Sequence, residues 1–329
     1  RSILAASVWQ GIDQQILIVT EDLTTAQNYY SDLQELLPDE EVHVFAVEDV
    51  YHAQMATSSP EMLEQRLDAL NFLDKEKPGI VITTVAGLLK PLVPKEIMKR
   101  SWRTIHEDDE IDLDQLTEQL FAIGYQREQT VACPGDFSVR GGIIDIYPLI
   151  NEWPVRIELF GDEIDSIREF DPNSQRSIHE IDEVFLSPAT DLILLPVAKE
   201  RAIEILRKQY EESTIESKRE IKHQLELLRE GIVTRMMRNL PEMFYEETEN
   251  IIDYMDSETI VVFDEYTHLE TRSEELTQEK EAWAAEQEKK SPFVMDLELL
   301  FAFKKMRELP THQVYFSNFR RGLNHLTFT

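Results

Sequence analysis

Compact apolar runs alternate with longer stretches whose apolar residues recur every three or four positions. Residues 15–20 (QILIVT), 42–47 (VHVFAV) and 79–85 (GIVITTV) are apolar runs bounded by polar residues, the form taken by strands buried on both faces. Between the first two, Ala26, Tyr29, Tyr30, Leu33 and Leu36 stand at helical spacing and predict a helix over 24–37. SSPEMLEQRLDALNFL (58–73) predicts another, with Ser59 as its cap and Pro60 in its first turn. Alternation of this kind predicts a parallel sheet covered by helices, an α/β class.

The rhythm changes near Arg100. WRTIH, VRGGIIDIYP, VRIELFG and IDSIREFD read as short strands separated by turns, with one helix starting at Asp112 (DLDQLTEQLFAIGY). Residues 101–190 therefore predict a small inserted α+β unit with an antiparallel sheet. From 197 to 238 the pattern is a long charged helix or helix pair, with Leu206, Tyr210, Ile221, Leu225 and Leu228 as a broken apolar stripe. IIDYMDSETIVVFDE (251–265) returns to the buried-strand style. SEELTQEKEAWAAEQEKK (273–290) suits a solvated helix, and the segment from Pro292 reads as helix plus a strand, HQVYFSNF. The expected division is 1–100, 101–190 and 191–329, the outer two segments building one parallel-sheet domain.

Charge narrows the function. The chain has 64 acidic and 33 basic residues in 329, a net charge of -31. Binding to nucleic acid draws on cations that displace phosphate counterions, so tight autonomous DNA binding is disfavoured. Cys133 is the single cysteine, which excludes an internal disulfide and fits a reducing cytoplasm. No apolar run is long enough to cross a bilayer. The opening residues lack the order of a secretory signal and read as a helix interrupted at its start, as in a fragment.

VVFDE (261–265) is the sharpest catalytic pattern. An apolar strand ending in Asp264-Glu265 is how phosphate-loop ATPases set an acidic pair beside magnesium. The same residues after a strand also commonly cap a helix. The matching glycine-rich loop with Lys-Ser/Thr does not occur in the sequence. The eight histidines form no HxxxH or HExxH pair, so metal binding has little support.

Residues 124–177 carry an ordered series: GYQR, then PGDFSVRGGIIDIYP, then PVRIELFGDEIDSIREFD, then QRS. This series resembles the second domain shared by two bacterial repair families, the excinuclease helicase UvrB and the transcription-repair coupling factor (Mfd). The looser match over SPEMLEQRLDALNFL, PLVPKEIM and VVFDE favours the latter. So does the stretch 48–79, which has one tyrosine, Tyr51, before its helix and no room for an aromatic DNA-probing hairpin. The resemblance implies an incomplete helicase-like (P-loop NTPase-like) domain built from two discontinuous segments. It also implies an inserted domain that binds UvrA, the damage-recognition ATPase of excision repair. Asp264 and Glu265 become a degenerate Walker B pair, and no catalysis and no cofactor belong to this region. ATP, magnesium, RNA polymerase and DNA would be handled by domains outside it, some in intramolecular, autoinhibitory contact with it.

The partner-binding positions that the resemblance carries over are Arg140, Arg156 and Phe160, with Arg127, Arg168 and Arg176 as further members of a basic patch. Strand alternation puts Arg156, Glu158 and Phe160 on one face and Ile157 and Leu159 on the other. An exposed ring beside an exposed guanidinium is a docking composition. The opposing reading buries Phe160 in the core and pairs both arginines with local acids such as Glu158 or Asp162. A second function class, an active DNA helicase or ATPase fragment, rests on VVFDE and the helicase-like layout. Docking predicts that Arg140→Ala with Arg156→Glu abolishes binding and leaves the melt nearly unchanged.

Overall fold

The structure is a computed structural model that describes residues 1–9, 14–48, 59–75, 77–238, 240–288, 301–303, 305 and 312–317. The stretch around Tyr51 and most of the segment after Pro292, apart from its strand, lie outside the described residues.

In chain order the first segment holds α1 (Ser2–Trp9), β1 (Gln15–Thr20), α2 (Leu23–Leu36), β2 (Val42–Phe45), α3 (Pro60–Asp74), β3 (Gly79–Thr84), α4 (Val85–Leu89) and α5 (Lys95–Ser101). The middle holds β4 (Arg103–His106), α6 (Leu113–Ala122), β5 (Gln126–Arg127), β6 (Asp136–Arg140), β7 (Ile143–Ile146), β8 (Val155–Phe160), β9 (Glu163–Phe170), β10 (Ser177–Glu180) and β11 (Glu183–Leu186). Then come α7 (Pro196–Glu212), α8 (Ile215–Arg229), α9 (Arg235–Arg238), β12 (Ile260–Asp264), α10 (Tyr266–Glu288) and β13 (His312–Phe316).

Strands from both ends of the chain form one five-stranded sheet in the order β13-β12-β1-β3-β2, with every pairing parallel. Its strands are apolar at consecutive positions because both faces are covered. Leu17, Val19, Val81, Val261 and Phe263 point into the layer of α3, α4, α7, α8 and α10. The intervening Ile16, Ile18, Ile80, Ile82, Ile260 and Val262 point into the layer of α1 and α2. The predicted caps hold: Ser59 accepts from the Met62 amide, and Asp112 accepts from Asp114 and Gln115. The helix pair predicted after 197 is α7 and α8, which buries Leu206, Ile221, Leu225 and Leu228. α10 buries Leu269, Leu276 and Trp283, one residue every two turns, and exposes Glu274, Glu275 and Glu281.

The middle of the chain builds its own sheet, in the order β10-β9-β8-β7-β6-β5. Four of its pairings are antiparallel, as predicted, but β5 runs parallel to β6, and β4 and β11 form a separate antiparallel pair. The inner face packs Phe137, Ile144, Ile146, Val155, Ile157 and Ile167 against Leu116 and Leu120 of α6. A satisfied set of charges anchors the base of this unit. Asp191 accepts from Arg66 Nε at 3.1 Å and lies 3.8 Å from Lys90 Nζ, all three side chains being largely buried. Burial alone would push the Asp191 carboxyl up, but Lys90 and Arg66 outweigh it and hold the group below its ordinary range. Burial draws the Lys90 ammonium below its ordinary value despite Asp191. Around this cluster, Ala189 donates to Ile123 and Leu194 to Ala122, so the chain's exit is stitched to the end of α6.

Candidate functional site

The sheet of the middle unit has one apolar face and one polar face, set by the alternation along each strand. The register places Ser138, Asp145, Arg156, Arg168 and Glu180 side by side in one row across β6 to β10. The next row carries Arg140, Ile143, Glu158 and Ser166. Beyond Glu158, at the end of β8, stands Phe160.

Phe160 is 82% exposed, so the reading that buried it in the core is excluded. Its neighbours Ile157 and Leu159 point the other way, into or against the inner core, as the alternation requires. Two hairpin tips lie side by side here, because the Leu159 amide donates to the Gly142 carbonyl at 2.8 Å. Gly141 has φ of +63, a conformation that glycine adopts without strain. A Cβ on Gly142 would meet the Leu159 carbonyl oxygen at 3.0 Å, so the tips approach this closely because that position is glycine. The close approach brings Arg140, at the end of β6, to the same edge of the face as Phe160.

The other half of that reading holds in kind: both arginines pair with a local acid, though it is neither Glu158 nor Asp162. Both converge on Asp145 of β7, whose side chain is 0% exposed. Arg156 grips it with a fork: Nε donates to Oδ1 at 2.7 Å and Nη2 to Oδ2 at 2.9 Å. Arg140 Nη2 donates to the same Oδ2. The hydrogen bonds to Asp145 raise the Arg156 pKa above its ordinary value and keep it charged. The Arg156 guanidinium also lies 4.7 Å from the Phe170 ring centroid. With 17% of its side chain exposed, Arg156 is largely enclosed, whereas the Arg140 side chain is 50% exposed.

The other candidate cations are dispersed. Arg168 lies on the same face but is engaged by Glu180 at 3.1 Å and Glu158 at 3.4 Å. Arg176 is exposed in the turn between β9 and β10, at the opposite end of β9 from Phe160. Arg127 is in register with Phe137, which points into the core, so it has the parity of the other face. It lines a cleft of about 370 Å³ with Phe121, Ile232 and Arg238. Sequence reasoning missed Asp145. The available signal was a carboxylate at outer-face parity between Ile144 and Ile146 in an otherwise apolar strand.

At the tip of β12 the second candidate pair, Asp264 and Glu265, is also engaged. Arg1, preceding α1, donates from Nη1 to Asp264 Oδ1 at 2.7 Å and from Nη2 to Glu265 Oε1. Glu265 adopts φ of +55, uncommon for a residue with a side chain, and accepts from Ser317 Oγ at 3.3 Å. Burial raises the Asp264 pKa above its ordinary value, with Arg1 opposing the shift. Burial and the Asp264 charge together push the Tyr29 phenol well above its ordinary value. Among the described residues no three His, Cys, Asp or Glu side chains converge to hold a metal ion. Nor, among them, is any helix long and apolar enough to cross a membrane.

Residues 104–192 match the family described as the UvrB interaction domain. The chain is 34% identical over 335 residues to the transcription-repair-coupling factor of Bacillus subtilis (strain 168), covering 99% of this chain and 28% of that protein. It is 34% identical over 288 residues to the transcription-repair-coupling factor of Staphylococcus aureus (strain MRSA252), covering 85% of this chain and 25% of that protein. The chain thus spans about a quarter of the length of these curated relatives. With a match to the UvrB interaction domain at its centre and this identity along nearly all its length, the chain is similar to the N-terminal region of the transcription-repair-coupling factors.

Proposed function

We propose that this chain recruits nucleotide excision repair to stalled transcription by docking UvrA on the polar face of its middle sheet. The observation that carries this reading is the exposed Phe160 ring at the same edge as the half-exposed Arg140 guanidinium. A ring supplies apolar area and an arginine supplies directional, charge-assisted hydrogen bonds, the pairing that dominates binding energy at protein interfaces. A cation in a chain of net charge -31 also selects an acidic patch on the partner and fixes its register. Phe160→Ala is expected to weaken UvrA binding by about 2 kcal/mol, roughly thirtyfold in Kd. Titration calorimetry reads the loss, and the thermal melt should not move because the ring contributes little to the core. A melt that falls while binding persists would assign Phe160 to stability instead.

In this reading the middle unit, 101–190, is the docking domain. The segments 1–100 and 191–329 form a helicase-like domain that performs no catalysis and takes no cofactor. The Arg1 contacts support that view: a guanidinium sits against both carboxylates that an ATPase would turn toward magnesium and the attacking water. The purified chain is therefore expected to show no DNA-stimulated ATP hydrolysis in a phosphate-release assay. Polymerase and DNA contacts, ATP use and any autoinhibitory masking of the docking face belong to a longer protein in the bacterial cytoplasm.

A further inference from the structure

Arg140 and Arg156 share one carboxylate but present themselves differently. Arg156 spends Nε and Nη2 on Asp145, lies beside Phe170, and has little surface left. Arg140 gives only Nη2 to Asp145 and keeps half its side chain in solvent, at the edge that carries Phe160. Asp145 itself is fully enclosed and accepts from both. A free arginine samples many rotamers, and a partner that fixes it must offset the lost entropy. A buried carboxylate held by a fork from the neighbouring strand removes that freedom beforehand.

We propose that Asp145 and Arg156 are positioning residues of the docking face, and that Arg140 and Phe160 make the contact. The partner surface they fit is a carboxylate beside an apolar pocket: the acid meets the open side of Arg140 and the pocket receives the ring. This assignment rests on the docking reading above and divides its residues into two roles.

The sign of one substitution separates positioning from charge. Asp145→Asn removes a negative charge from a face that meets an acidic partner, so simple electrostatics would tighten binding. Positioning predicts the opposite, a loss on the order of tenfold. The experiment is calorimetric titration of UvrA with wild type, D145N, R140A and the D145N/R140A double variant, each with its melt. The double variant should bind no more weakly than R140A by more than about twofold, because Asp145 acts through Arg140. Arg156→Lys is the second probe, since it keeps the charge count but loses the fork. It should weaken binding severalfold with the fold intact, which also covers the case that D145N fails to fold. Unchanged or tighter binding by D145N, or wild-type binding by R156K, would overturn the positioning role. Phe160→Ala in the same series keeps the two claims apart: if it binds as wild type, the docking face itself is wrong. If it loses binding while D145N and R156K do not, only the division of roles fails.

Discussion

Arg156→Glu is expected to destabilise the middle unit by about 3–5 kcal/mol, the cost of breaking a buried pair and leaving its partner uncompensated. The variant sets a second carboxylate against Asp145, which has no access to water and keeps only the single Nη2 contact from Arg140. It also removes the cation beside Phe170. Arg140→Ala, half exposed and single-donor, is expected to cost about 1 kcal/mol or less. Chemical denaturation of the two variants side by side measures the contrast. The expectation from sequence, that a double variant carrying Arg156→Glu melts like wild type, is corrected on this ground. It treated Arg156 as a surface cation, and the fork to Asp145 makes it part of the sheet. A destabilisation within about 0.5 kcal/mol would mean that Asp145 finds other partners.

Asp191→Ala should weaken the other end of the unit by a similar amount, about 3 kcal/mol or more. It leaves Arg66 and Lys90 enclosed together without the acid between them. Arg66 retains its bond to the Ala46 carbonyl, so the residual cost falls mostly on Lys90, whose ammonium burial already disfavours. The cluster sits where the chain leaves the middle unit for α7, next to the Leu194 to Ala122 bond. Denaturant unfolding should become less cooperative as the unit uncouples from the parallel sheet. Replacing all three charged residues by apolar ones of similar volume should recover most of the stability, because the desolvation they carry disappears with them. A triple variant as unstable as Asp191→Ala would show that the site depends on charge itself.

Much of the fold was legible because its signals are local. The apolar runs read at 15–20 and 79–85 and the VVFDE segment at 261–265 became the parallel strands β1, β3 and β12, and Ser59 and Asp112 became caps as their chemistry requires. Alternation along 155–160 put Phe160 outside once the sheet face was known. The partners were less legible, since cross-strand register is not written in either strand alone. Asp145 meets Arg156 because β7 and β8 pair with those residues opposed, and Arg1 meets Asp264 across 263 positions of sequence. The parallel β5 was missed for the same reason, as two residues, Gln126 and Arg127, carry no pattern of their own. Arg127 and Arg176 matched a motif, but the fold placed them away from Phe160.

Docking through the polar face is tested most directly by a photo-crosslink. A benzophenone side chain in place of Phe160 projects into solvent from the end of β8, and one in place of Phe121 projects from α6 beside the cleft that Arg127 lines. Irradiation in the presence of UvrA should give a covalent adduct from position 160 and little from 121. An adduct from 121 with none from 160, at concentrations where the two proteins bind, would contradict docking through this face.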